Sequence, residues 1–257
     1  MAVLLVDIGN TRIKWARLDG GRLGTARAAV HSAWRAGDYT RQLFGAARPL
    51  ERMLIASVAS SRVDRMLAAA ARGAAVPARF VTVPRRAAGV TVGYLEPWRL
   101  GVDRFVAAVG AHHLLKGVPT CVVGVGTAMT IDLIDAEGRH RGGMIIPAPG
   151  LMVDTLLART QGIRRRARGG ASGAAGLFGR STRSAIVQGS RYAAAATIDR
   201  AVEEAGMLLE RRPLVVLTGG EAPAVRPLLR SNCVAVPDLV LRGLAVLSQA
   251  PQPRRRR

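Results

Sequence analysis

Leu4-Leu5-Val6-Asp7-Ile8-Gly9-Asn10-Thr11-Arg12-Ile13-Lys14-Trp15 is the stretch from which the fold is read. An apolar run ends in a carboxylate, turns on a glycine beside two small polar residues, and resumes as a second strand alternating from Ile13. Such a turn can hold phosphate. Gly9 lets the backbone approach an anion, amide N–H groups and the Thr11 hydroxyl can donate to its oxygens, and Asp7 can hold a magnesium ion directly or through water. The same residues also describe a plain hairpin whose Asn and Thr satisfy the turn, and the stretch alone leaves both readings open.

Outward from this turn, Leu18-Asp19-Gly20-Gly21-Arg22-Leu23 predicts a second hairpin turn, giving three antiparallel strands from Val3 to about Val30. The period then changes. A helix is expected over Trp34 to Ala47, a strand over Met53 to Val58, a helix capped by Ser60 through about Arg72, and a strand over Phe80 to Val83. Between Gly89 and Arg104 the pattern is irregular, as binding loops often are. It leads into an apolar helix, Phe105 to Leu115. Asp103 stands at the start of that helix, where a carboxylate is favoured without any ligand. The competing reading is that Asp103 and Arg104 face a ligand beside Tyr94.

From Pro119 the opening theme returns as a strand over Thr120 to Val123, a turn at Gly124-Val125-Gly126-Thr127-Ala128, a strand over Met129 to Ile134, and a third strand through Ile146. The glycines and small polar groups align with those of Asp7 to Thr11, which reads as an internal duplication. Two α/β halves of this kind, 1–117 and 118–257, are expected to place their glycine turns on a shared cleft. Beyond the repeat, a helix is expected from Leu151 to Thr160 and an arginine-rich surface loop, a candidate lid, over Arg164 to Gly179. An alanine-rich helix over Thr182 to Ala205 has side chains small enough to pack closely on a partner helix or subunit. Then come a strand at Leu214 to Leu217, a turn at Thr218 to Glu221 that could lie against a nucleoside, and helix, strand and helix over Ala222 to Arg230, Val234 to Val236 and Leu239 to Leu247.

Composition excludes several classes. With 49% hydrophobic residues over 257, the chain can bury a core without staples, and two cysteines make no disulfide framework. No apolar run approaches the roughly 20 residues that cross a bilayer, and no export signal is read at the start, so a cytoplasmic protein without membrane association is expected. The net charge of +21 raises the question of anionic partners. All basic residues but Lys14 and Lys116 are arginine, alanine is also abundant, and aromatics are only 4%. That pattern reads as general surface bias rather than a nucleic-acid site, which usually interleaves aromatics. Four histidines with no HExxH arrangement argue against catalytic zinc, and the absence of GxSxG and GxxxxGK[ST] argues against an α/β-hydrolase and a Walker-type NTPase. Phosphoryl transfer fits what remains.

These motifs, in this order, resemble those of the type III pantothenate kinases, in the superfamily of acetate and sugar kinases, heat-shock protein and actin. The resemblance rests on DIGNT at Asp7 to Thr11, Tyr94 with GVDR at Gly101 to Arg104, GTAMTID at Gly126 to Asp132, GGMIIP around Gly143, STRSAI at Ser181 to Ile186 and TGGEA at Thr218 to Ala222. It implies two ribonuclease-H-like (actin-like ATPase) domains, a homodimer, and ATP-dependent phosphorylation of pantothenate, the first committed step towards coenzyme A. It further implies that Asp7, Ile8, Gly9, Asn10, Thr11, Arg12, Ile13 and Lys14 form the first phosphate loop with Asp7 near magnesium, and that Thr127 contacts ATP from the second. Tyr94, Gly101, Val102, Asp103 and Arg104 would bind pantothenate, Thr182 would complete that site from the other domain or subunit, and Asp103 would be the general base. Arg104 suits a carboxylate through its bidentate fork, and pantothenate carries one. Two departures stand out. Gly124 occupies the place where the family commonly has a cation-binding aspartate, which speaks against a potassium or ammonium site of the usual form, and the family's Pro-Gly is Pro147-Ala148 with a Pro-Gly two residues later. Proteins similar to this family have also been described as accessory factors in transcription, and another small-alcohol kinase of the superfamily is a third reading.

Overall fold

The computed structural model describes residues 2–45, 49–168 and 176–250. The chain divides into two compact units, Met1–Lys116 together with Asp238–Arg257, and Gly117–Pro237.

The first unit opens with β1 (Ala2–Ile8), β2 (Arg12–Asp19), β3 (Arg22–Leu23) and β4 (Arg27–Val30), followed by α1 (Ala36–Phe44), β5 (Leu50–Ser57), α2 (Ser61–Gly73) and β6 (Ala78–Phe80). A small ribbon of β7 (Arg86–Ala87) and β8 (Val90–Thr91) precedes α3 (Val102–Leu114). The sheet runs β3-β2-β1-β5-β6, with β4 also on β2. β1 and β2 are antiparallel with Asp7 opposite Lys14 and Ile8 opposite Ile13, whereas β5 and β6 run parallel to β1. Leu4, Val6, Ile8, Ile13, Met53 and Ile55 pack with Tyr39, Leu43 and Leu67 of α1 and α2, an alternation that puts one strand face in the core. α1 starts two residues later than its sequence pattern predicts, because the Trp34 amide closes a turn on the His31 carbonyl at 2.9 Å. The expected end of that helix at Ala47 lies outside the described residues. Ser60 occupies the N-cap of α2 without a side-chain capping bond, and Ser57 donates to Asp64 in the first helical turn at 2.5 Å.

The second unit repeats the plan. β9 (Thr120–Val125), β10 (Ala128–Ile134) and β11 (His140–Pro147) are followed by α4 (Pro149–Arg159), α5 (Gln161–Arg166), α6 (Thr182–Leu209), β12 (Leu214–Thr218), α7 (Ala222–Val225) and β13 (Cys233–Ala235). Its sheet runs β11-β10-β9-β12-β13, three antiparallel strands and then two parallel ones, the same order as the first sheet. The alanine-rich helix α6 lies on its own sheet: Ala194, Ala195, Ile198, Val202 and Ala205 bury against strand residues that include Val123, Val125, Met129 and Ile131. Residues 164–166, read from sequence as part of a loop, close the helix α5, where Arg164, Arg165 and Arg166 sit in the last turn and complement its dipole. Positions 169–175 of the expected lid lie outside the described residues. The helix expected over Ala222 to Arg230 is split at Arg226 into α7 and a 3-10 turn, because Pro227 supplies no amide hydrogen to continue it.

The last helix, α8 (Leu239–Gln249), belongs to the first unit, whereas the sequence repeat placed the whole of 118–257 in the second half. α8 crosses α3 at two glycines. A Cβ at Gly243 would lie 1.9 Å from the Val106 carbonyl oxygen, and one at Gly110 would lie 2.7 Å from that of Leu239. Backbone meets backbone there, burying Phe105, Val106, Val109, Leu241 and Leu244.

Candidate active site

The first loop is built by strand pairing. β1 and β2 hold register up to Ile8 and Ile13, and the Gly9 amide donates to the Arg12 carbonyl at 3.0 Å, leaving Asn10 and Thr11 exposed at the tip. Asp7 ends β1, paired with Lys14. Ile8 and Ile13, carried in the sequence reading as ATP contacts, are fully buried core residues, so any contact from them is through backbone alone. Burial pushes the Asp7 carboxyl up to about 7. The Lys14 charge pulls it down, and the charge of Asp103 adds to the rise. Asp103 is therefore electrostatically coupled to the loop.

Asp103 stands in the first turn of α3, with Gly101 as N-cap. Its Oδ1 accepts from the Arg104 amide at 2.8 Å and folds back over Gly101, where a Cβ would come within 2.7 Å of that oxygen. The glycine of GVDR is thus needed for the carboxylate to take this position. Val102 is half-buried beside it. Arg104 is buried, donates to the Tyr94 hydroxyl at 3.1 Å, and lies 5.7 Å from the centre of that ring. The first unit therefore brings together Tyr94, Gly101, Asp103 and Arg104, and couples them to Asp7. Sequence reasoning missed Arg85. Its guanidinium donates to the carbonyls of Tyr94 and Leu95, both at 2.7 Å, and pins the loop that carries Tyr94. A side chain that acts on backbone nine residues away leaves no motif.

In the second unit the Gly126 amide reaches the Ala128 carbonyl at 3.0 Å, the counterpart of the Gly9 bond, and Thr127 is exposed. The turn after β12 packs directly on this loop. Gly219 has φ +104°, and a Cβ there would lie 2.2 Å from the Val125 carbonyl oxygen. The Glu221 amide bonds that same carbonyl at 3.0 Å, while the Glu221 carboxylate accepts from the Gly150 amide at the start of α4 at 2.8 Å. The displaced Pro-Gly has a physical role: a Cβ at Gly150 would lie 2.5 Å from that carboxylate. Thr182 is the first residue of α6, whose start is fixed by the reciprocal bonds of Ser181 and Ser184.

Residues 3–204 match the family described as type III pantothenate kinase. The chain belongs to that family. Type III pantothenate kinases of Nitrosococcus oceani and of an Azoarcus species are 35% and 37% identical to it, covering 95% and 96% of this chain and 92% and 91% of theirs. Among solved structures, an ethanolamine utilization protein EutJ from Carboxydothermus hydrogenoformans superposes with a TM-score of 0.54 at 15% identity, covering 96% of this chain and 89% of that one. A ROK family glucokinase from Streptomyces griseus gives 0.52 at 12% identity, covering 96% and 99%. These likenesses establish the fold class, α/β units of the ribonuclease-H-like, actin-like ATPase kind.

As a type III pantothenate kinase the chain needs a divalent ion with its nucleotide. No group of three or more His, Cys, Asp or Glu side chains is poised for a metal among the described residues. Asp7, at the end of β1 beside the turn of Gly9 to Thr11, fits an ion that takes one carboxylate and fills the rest of its shell with water and phosphate oxygens. The monovalent site fits less well. Gly124 brings no carboxylate, and a Cβ there would already lie 3.0 Å from Thr130 Oγ1.

Proposed function

We propose that this chain transfers the terminal phosphoryl group of ATP to the primary hydroxyl of pantothenate, giving 4'-phosphopantothenate for coenzyme A synthesis. Membership of the family carries the reaction. What supports the site is the start of α3, where Asp103 Oδ1 accepts from the Arg104 amide at 2.8 Å and Arg104 reaches the Tyr94 hydroxyl at 3.1 Å, in the unit that also carries Asp7 and its glycine turn. The amides of Gly9 to Thr11, the Thr11 hydroxyl and the Lys14 ammonium supply donors for phosphate oxygens, with Arg12 at the mouth and Ile8 and Ile13 as buried anchors of the turn. Thr127 and the turn Thr218 to Gly220 supply the second set of nucleotide contacts. Arg104, steadied by Tyr94, takes the pantothenate carboxylate, and Gly101 and Val102 line the approach. Asp103 accepts the hydroxyl proton as the phosphoryl group arrives. Magnesium at Asp7, when bound, neutralises charge on the transferring phosphate. We further infer a homodimer in the cytoplasm, with Thr182 completing the pantothenate site.

The test is a coupled assay of ATP consumption against pantothenate and a panel of small alcohols, with magnesium and varied monovalent salts. Turnover should require pantothenate. Asp103→Asn should lower kcat by about 100-fold or more, the usual scale for a lost general base, while pantothenate binding stays within a few fold. Robust turnover in that variant removes Asp103 from the role. Consumption driven equally by unrelated alcohols overturns the choice of substrate.

A further inference from the structure

The buried histidine after β4 touches the first loop, and no motif in the sequence draws attention to it. His31 Nε2 lies 2.8 Å from the Gly9 carbonyl oxygen, and its Nδ1 lies 3.0 Å from the Tyr39 hydroxyl. Its own amide donates to the Thr11 carbonyl at 3.1 Å. One residue therefore holds the loop at Gly9 and at Thr11. A carbonyl oxygen can only accept, so in the neutral ring Nε2 carries the proton and Nδ1 accepts from Tyr39. Tyr39 suits the donor role, since burial and the nearby charge of Asp38 raise its hydroxyl above the ordinary value and keep it protonated. The imidazole is walled in by Trp34, with ring centres 6.5 Å apart, and Trp34 in turn by Trp15 and Tyr39.

We propose that His31, set by Tyr39, is a positioning residue for nucleotide binding: by fixing the Gly9 carbonyl it aims the Asn10 amide at the phosphates. In a trans peptide the carbonyl of one residue and the N–H of the next point in opposite directions, and the described chain has no cis bond. Pulling the Gly9 oxygen towards the buried ring turns the Asn10 N–H away from it, on the exposed tip of the loop. The hydrogen bond on the carbonyl also polarises that amide and strengthens it as a donor. The inference rests on the reading of this loop as a phosphate site.

The test compares the full chain with His31→Leu, His31→Gln and Tyr39→Phe. It reads the Kd for magnesium-ATP by calorimetry, the KM values for ATP and pantothenate, and the melting temperature. His31→Leu should weaken ATP binding about 10-fold, the scale of one lost hydrogen bond, with little change in the KM for pantothenate. His31→Gln, which keeps a donor near Nε2, should restore most of the affinity, and Tyr39→Phe should cost about 3-fold. Nitrogen NMR of the parent should show the Nε2–H tautomer. A merely structural role would lower the melting temperature of all three variants and leave the Kd of each unchanged, and that result overturns the proposal. Should His31→Leu fail to fold, the Gln and Phe variants decide by the same readings. A parent that binds ATP but does not turn over pantothenate overturns the substrate and leaves this comparison intact, whereas a parent that binds no ATP overturns both.

Discussion

At Asp7 the chain keeps a carboxyl that burial makes reluctant to ionise, with a value of about 7 in place of 3.8. The folded state holds this proton more tightly than the unfolded chain does. The resulting stabilisation is complete below about pH 4 and is lost as the pH rises through 7, a change of up to about 4 kcal/mol for a shift of this size. Asp7→Asn mimics the neutral form. It should melt several degrees above the parent at pH 8, match it near pH 3.5, and have no kinase turnover; thermal melts at the two pH values check this, and an equal gain at both would refute it. At this scale the sequence was informative where chemistry is concentrated in consecutive residues: Asp7, Gly9 and Thr11 announce a turn that presents amides, and Asp103 a helix start. It was silent on His31 and Arg85, whose work is done on carbonyl oxygens of other segments. It also credited Ile8 and Ile13 with ligand contact, when alternation along a strand turns both side chains into the core.

Among the elements, the α3 and α8 pair is the most sensitive to a single atom. With 1.9 Å between a Cβ at Gly243 and the Val106 carbonyl oxygen, Gly243→Ala forces the helices apart. It should destabilise the first unit by about 1–3 kcal/mol, the scale of overpacking, seen as a lower denaturant midpoint. An unchanged midpoint would mean that the crossing is looser than described. The duplicated hairpins were readable because each is local, with a turn signal between two alternating strands. The place of α8 was not, since an apolar helix carries no mark of which sheet it covers, and only the glycines at the crossing distinguish it. For α6, expected to pack closely on a partner helix or subunit, the small residues do meet a helix, α4, while the buried stripe covers its own strands.

For the whole molecule, a net charge of +21 carried almost entirely by arginine predicts indiscriminate attraction to polyanions. Binding to duplex DNA at low salt should be independent of sequence and fall steeply as salt rises towards about 200 mM, and kcat for pantothenate should not respond to DNA. A sequence-dependent affinity that survives such salt would contradict this. The continuity of the units has another outcome. Because Gly117–Pro237 is a single uninterrupted run, while its companion draws Leu239–Gln249 from the far end of the chain, translation delivers the later unit whole before the earlier one is complete. A released chain that ends before residue 239 lacks α8 and leaves α3 uncovered, so it should be cleaved by proteases in the N-terminal half and resist them in the half made second.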